Sequence, residues 1–239
     1  MKTINIKETA CWSIIAFLII FSFIISLFYK TPEEIIFSMR VALYFFKPYT
    51  VLTHVIFITI LLQGIIFKKI NDELYAGLMA FIAITTTIIA MLFMLIPDIF
   101  LFALICVLSL NAYFKKQLRW DLKETDTISR IFGFVGFFFG FWYLFWVEEP
   151  IWWNALMLSP LGILNGPTLL VICGFLCLNK TPRSNKLELS VAVISLWIGI
   201  MGLIRFEIYI DIVLIIISLF LLIRFGINQM KHSKPVNQL

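Results

Sequence analysis

The sequence predicts an all-α fold: a polytopic transmembrane helix bundle of about eight spans, with one external interfacial amphipathic helix. Three observations lead there. Of 239 residues, 62% are apolar and 14% are charged, with a mean hydropathy of +1.01, whereas a water-soluble globule carries about 25% charged residues. Apolar runs recur at roughly 17 to 25 residues, the length that crosses about 30 Å of hydrocarbon at about 1.5 Å per residue. Fifteen of the nineteen Lys and Arg fall on one side when the runs are threaded with both termini inside, and basic residues are retained on the cytoplasmic face. The +5 net charge is therefore a topological signal for a bacterial inner membrane and gives no argument for nucleic acid.

The first span, Trp12–Tyr29, follows a charged start. It ends in Phe28-Tyr29-Lys30 with no small-residue cleavage site, so it reads as a retained anchor rather than a processed signal. Thr31-Pro32-Glu33-Glu34 is a helix start, with Thr as N-cap, Pro at the first helical position and Glu completing a capping box. That helix runs to Phe46, is stopped by Lys47-Pro48, and carries Ile35, Ile36, Met39, Leu43 and Phe46 on one side. It is expected along the outer interface, as a lid over an external pocket or as an interfacial brace.

The second span, Val51–Phe67, holds His54, which could carry a proton or ligate a metal, though a single histidine is usually hydrogen-bonded structure. Spans three and four, Leu74–Ile96 and Ile99–Phe114, form a hairpin about a tight external turn at Pro97-Asp98. The hydroxyls of Thr85, Thr86 and Thr87 are explained by bonds to their own helix. Lys115 to Arg130 is the main cytoplasmic loop. Its five basic residues and Trp120 suggest contact with anionic lipid headgroups, beyond the retention signal itself.

The fifth span, Ile131–Val147, brings Gly133, Gly136 and Gly140 onto a small-residue stripe of the kind that lets two helices approach closely, with an internal partner expected. Glu148-Glu149-Pro150 and Trp152-Trp153 then lead into a stretch broken by Ser159-Pro160 and Asn165-Gly166-Pro167. That stretch is either a re-entrant piece lining a pocket or an external loop resting on the bilayer. The sixth span is Pro167–Leu178 with its preceding turn from residue 163. Leu189–Ile204 and Ile208–Ile223 form the last hairpin, so residues 1–227 make one transmembrane domain and residues 228–239 a polar cytoplasmic tail. Cys11, Cys106, Cys173 and Cys177 read as packing, and no motif asks for a metal or a cofactor.

The run Ser159 to Thr168, followed by an apolar helix and a hairpin bearing Trp197, Glu207 and Asp211, resembles a bacterial family of multi-spanning membrane proteins of unknown function. That family carries Gly-x-x-Pro-Cys-Pro-Thr at this place. Gly162, Pro167 and Thr168 match it, and Asn165 and Gly166 stand where the family has Pro and Cys. The resemblance spans roughly residues 35 to 225, and implies a membrane fold without an assigned reaction.

Glu207 and Asp211 sit one turn apart on a predicted helix face, where like charges repel unless Arg205 or a cation lies between them. Asp211, Glu207, Arg205, His54 and Asn165 are the candidate external polar pocket. No hydrolase, zinc-protease or phosphate-loop motif is present. Glu33, Glu34 and Arg40 miss the Glu-Glu-x-x-x-Arg spacing of intramembrane prenyl-type proteases by two places. Three function classes remain: a membrane enzyme is the least supported, a non-catalytic membrane component (scaffold, sensor or assembly partner of other membrane proteins) is the expected function, and a small-solute or ion permease is the alternative.

Overall fold

The computed structural model describes residues 6–143, 160–179 and 184–233. Backbone polar groups buried in hydrocarbon must be satisfied within the segment, which leaves helices as the way to build a chain this apolar. Nine helices are found among the described residues: α1 Ile6–Phe28, α2 Pro32–Phe45, α3 Lys47–Phe67, α4 Asp72–Leu92, α5 Ile96–Phe114, α6 Thr127–Phe141, α7 Asn165–Leu178, α8 Asn185–Arg205 and α9 Asp211–Ser233. Six of them, α1, α3, α4, α5, α8 and α9, are long and apolar enough to cross a membrane. At 15 and 14 residues, α6 and α7 reach only about 21 to 22 Å at about 1.5 Å per residue. The continuation of α6 toward Val147, with Glu148, Glu149, Trp152, Trp153 and Ser159, lies outside the described residues.

Local chemistry sets the ends. The Thr31 hydroxyl accepts from the Glu34 N–H while the Glu34 carboxylate accepts from the Thr31 N–H, and Pro32 opens α2. Phe46 separates α2 from α3, whose first turn holds Pro48. The second span thus begins at Lys47 rather than Val51. Asn71, Asp126 and Ser184 cap α4, α6 and α8 by accepting backbone N–H groups. Toward the C-terminus α9 continues through Asn228 to Ser233, so the first part of the predicted polar tail is helical.

The helices pack as antiparallel neighbours, α4 on α5, α6 on α7 and α8 on α9, with α1 laid against α5. At the centre is α7, buried from Gly166 to Leu178 on every side, as a helix apolar all round must be. α6 reaches it through glycine: a Cβ on Gly136 would lie 2.7 Å from the Leu170 carbonyl oxygen, and one on Gly174 would lie 2.8 Å from that of Gly133. A Cβ on Gly140 would lie 2.9 Å from the Pro167 carbonyl oxygen. The partner of the Gly133, Gly136 and Gly140 stripe is therefore α7.

The opposite end of α7 is plugged by the 115–126 connection. Asn179 accepts the Arg119 N–H at 2.7 Å and donates to the Gln117 carbonyl at 2.9 Å. Trp120 is fully buried, with its ring against Gly64, where no Cβ would fit. Trp120 therefore does not reach lipid headgroups, because the bridge to Asn179 turns it inward. Arg224 is also drawn inside. It bonds the Glu188 carboxylate at 2.7 and 2.8 Å and donates to the Cys177 and Leu176 carbonyls at 2.8 and 2.7 Å, tying α7, α8 and α9 together.

Candidate functional site

Three helices that start at the same end of the bundle, α5, α7 and α9, meet at one partly open cavity. Each contributes a polar residue from its first turn: Asp98, Asn165 and Asp211. Both carboxylates are buried, Asp98 at 8% exposure and Asp211 at 2%. Their hydrogen-bond partners are neutral. Tyr143 Oη donates to Asp211 Oδ1 at 2.6 Å, and Asn165 Nδ2 lies 3.3 Å from both Asp98 oxygens. Asn165 is fixed from behind, because its Oδ1 accepts the Gly166 N–H at 2.7 Å. The ion pairs of Arg224 with Glu188 and of Arg119 with Asp72 touch neither carboxylate.

Glycine makes the room. A Cβ at Gly202 of α8 would fall on the Asp211 carboxylate, and one at Gly166 would lie 2.9 Å from Tyr143 Oη and 3.2 Å from Asp211 Oδ1. The remaining wall is aromatic and aliphatic, with Trp197 and Met39 among its members. Ser26 of α1 also lines the cavity, and its hydroxyl accepts the Trp197 Nε1–H at 3.0 Å. The cavity measures about 60 Å³, and one water needs about 10–15 Å³ on that measure, so it holds roughly four to six waters, or one small ion or solute. Met39 belongs to α2, so the amphipathic helix covers part of the mouth.

The five residues singled out from sequence do not form one constellation. Asp211 and Asn165 line the cavity; His54, Glu207 and Arg205 do not. His54 is buried between α3 and α6, its ring 3.8 Å from that of Phe141. Arg205 donates to the Ser26 and Lys30 carbonyls at the end of α1. Glu207 is exposed and has φ +57°, left-handed backbone in the turn before α9. It shares no helix face with Asp211, because α9 begins at Asp211 itself.

Two members escaped the sequence. Pro97-Asp98 reads as a turn, yet it is the first turn of α5, the same Pro-then-acid pattern that starts α2. That pattern is the signal by which Asp98 was findable. Tyr143 has no local signal, since only the packing of α6 on α7 brings it to Asp211. Asn165 is held in a tight turn whose described part, Pro160 to Leu164, is buried rather than laid on a bilayer. Gly162 takes φ +76° there, and its N–H donates to Thr168 Oγ1 at 2.9 Å. Among the described residues, no cluster of three or more His, Cys, Asp or Glu is placed to hold a metal ion. Comparison with family models, with curated proteins and with solved structures gives no match.

Proposed function

We propose that the chain is a small-cation permease, one that binds a monovalent cation or a proton at the cavity formed by Asp98, Asn165 and Asp211. The observation that carries this reading is the meeting of two buried carboxylates, partnered only by Tyr143 and Asn165, at a cavity of ionic size. Each helix N-terminus contributes about half a positive charge. Three of them offset two ionised carboxylates to leave roughly −0.5 at the cavity wall, a balance that suits one positive charge and not two. Lys30 and Arg205 are close by but are turned to helix C-terminal carbonyls, Lys30 to that of Phe93 at 3.0 Å and Arg205 to the end of α1. Neither lines the cavity, so the attraction is local.

In this reading α6 and α7 complete eight membrane-crossing segments. Both termini lie in the cytoplasm, the membrane is a bacterial inner membrane, and the cavity opens outward beneath α2. The fifteen-to-four division of basic residues supports that orientation. Membership of the unknown-function bacterial family belongs to the same proposal. The Gly162 and Thr168 that carry the resemblance are hydrogen-bonded to each other just behind Asn165.

The test is flux. Purified protein in proteoliposomes is given inward gradients of Na⁺, K⁺ or H⁺, read with ion-sensitive dyes, and compared with Asp211→Asn. Cation movement that the variant abolishes is expected. Empty-liposome rates for all three ions would leave the non-catalytic membrane component as the surviving class.

A further inference from the structure

At the opposite, basic end of the bundle, the ends of α1, α5, α8 and α9 line an open pocket of about 620 Å³. We propose that it is a binding site for a phosphate ester bearing hydroxyl groups, of the glycerophosphate type. This site is separate from the cation cavity and does not depend on the permease reading. Two lysines, Lys115 from the end of α5 and Lys186 from the first turn of α8, line one concavity. The retention of basic residues on the cytoplasmic side explains which end they occupy, but it does not explain their convergence from two helices.

The pocket is also built to hold its shape. Lys186 Nζ stands 5.6 Å over the Trp12 ring, a cation–π contact that presets its position. Gln117 is anchored twice through its backbone, its N–H to the Ala112 carbonyl at 2.8 Å and its carbonyl to Asn179 at 2.9 Å. The remaining wall supplies the groups that read hydroxyls. Asn111, Gln117 and Gln229 present both donors and acceptors, and ionised Glu8 only accepts. Two lysines against one glutamate leave one net positive charge, which favours a monoanionic phosphodiester over a zwitterionic headgroup of zero net charge. The phosphate belongs between the lysines, with its hydroxyl-bearing arm toward Glu8.

Such a group occurs on a lipid and on a soluble metabolite, and the protein surface offers a place for lipid tails. Around α1 from the pocket, an apolar groove of about 600 Å³ runs along the α1–α5 seam past Ile14 and Val107. The test is thermal unfolding of the full-length protein in a neutral detergent. It is titrated separately with dioleoyl phosphatidylglycerol, dioleoyl phosphatidylethanolamine and glycerophosphoglycerol, the soluble monoanionic diester with the first lipid's headgroup. A rise in midpoint with the first or the third is expected, and little with the second; which of the two acts identifies the source as bilayer or cytosol.

At about 1 kcal/mol per lysine near such a surface, each lysine is worth about fivefold. Lys115→Gln/Lys186→Gln should therefore raise the half-saturating concentration about 30-fold, and either single variant about fivefold. Lys68→Gln/Lys116→Gln removes the same charge from exposed positions outside the pocket and should leave it unchanged. The proposal is overturned if none of the three ligands shifts the midpoint or if phosphatidylethanolamine acts as well as phosphatidylglycerol. It is equally overturned if the Lys68/Lys116 variant weakens binding as much as the Lys115/Lys186 variant.

Discussion

Removing Arg224 should unfasten the bundle core. Its guanidinium makes two contacts to the Glu188 carboxylate and one each to the carbonyls of Cys177 and Leu176, with side-chain exposures of 9% and 4% for the ionic partners. In Arg224→Met the aliphatic stem is replaced and packing is largely kept, but Glu188 is left as a buried charge with no partner and the last turn of α7 loses its cap. Breaking a buried pair from one side costs about 3–5 kcal/mol. For a chain of this length that corresponds to a fall in Tm of roughly 10 °C, at about 2–4 °C per kcal/mol. Because the penalty is that of an orphaned charge, Arg224→Met/Glu188→Leu should recover most of it, since apolar replacement of both partners is often neutral. The assay is a double-mutant cycle of thermal unfolding followed by tryptophan fluorescence in detergent. If the double variant is as unstable as the sum of the two singles, the clasp is not an interaction between these side chains and the argument fails.

Two further outcomes are expected. Trp120→Ala should cost about 3–5 kcal/mol, because a fully buried indole packed on Gly64 leaves a large void when removed; a variant with unchanged thermal midpoint would return Trp120 to the lipid interface. Asn165→Asp places a third carboxylate beside Asp98 and takes the local balance from roughly −0.5 to about −1.5. Stabilisation by Ca²⁺ should then exceed that by Na⁺ in the variant and not in the parent, and an unchanged ion ranking would contradict the cavity's charge account.

What the sequence made legible was whatever is written in neighbouring residues. Thr31-Pro32-Glu33-Glu34 specifies its own capping box, and Lys47-Pro48 marks a break between helices, because both depend on backbone groups a few positions away. The glycine stripe of α6 is legible as a close-approach face for the same reason, but the identity of its partner is not. The site fails differently. Asp98 reads as a turn residue until α5 is known to begin at Ile96, and Glu207 reads as a helix neighbour of Asp211 until the left-handed turn separates them. An error of a few residues in a helix start moves a side chain to another face, and Asp98, Asn165 and Asp211 each lie within one turn of such a start. Trp120 is misplaced because an interfacial tryptophan and a buried one have the same composition signal. The bond from the Arg119 N–H to Asn179 that decides between them spans 60 residues of sequence.

The cavity end and the clasp end obey one electrostatic rule. A helix terminus inside a bilayer presents four unpaired backbone groups and a partial charge, with little water to answer either. This chain answers C-termini with bases from other segments: Lys30 on the carbonyl of Phe93 after α4, Arg205 on the end of α1, and Arg224 on the end of α7. It answers the N-termini of α5 and α9 with their own first-turn acids, Asp98 and Asp211. The bases are spent on fixed carbonyls, whereas the acids keep an open side toward a cavity, since Tyr143 engages a single oxygen of Asp211 and Asn165 meets Asp98 only at the long distance of 3.3 Å. α7 departs from the pattern, because its N-terminus meets an amide at Asn165. At the cavity end Lys30 and Arg205 are therefore closed on carbonyls while Asp98 and Asp211 keep an open side, and in the permease reading proposed above that open side is where a mobile positive charge would bind.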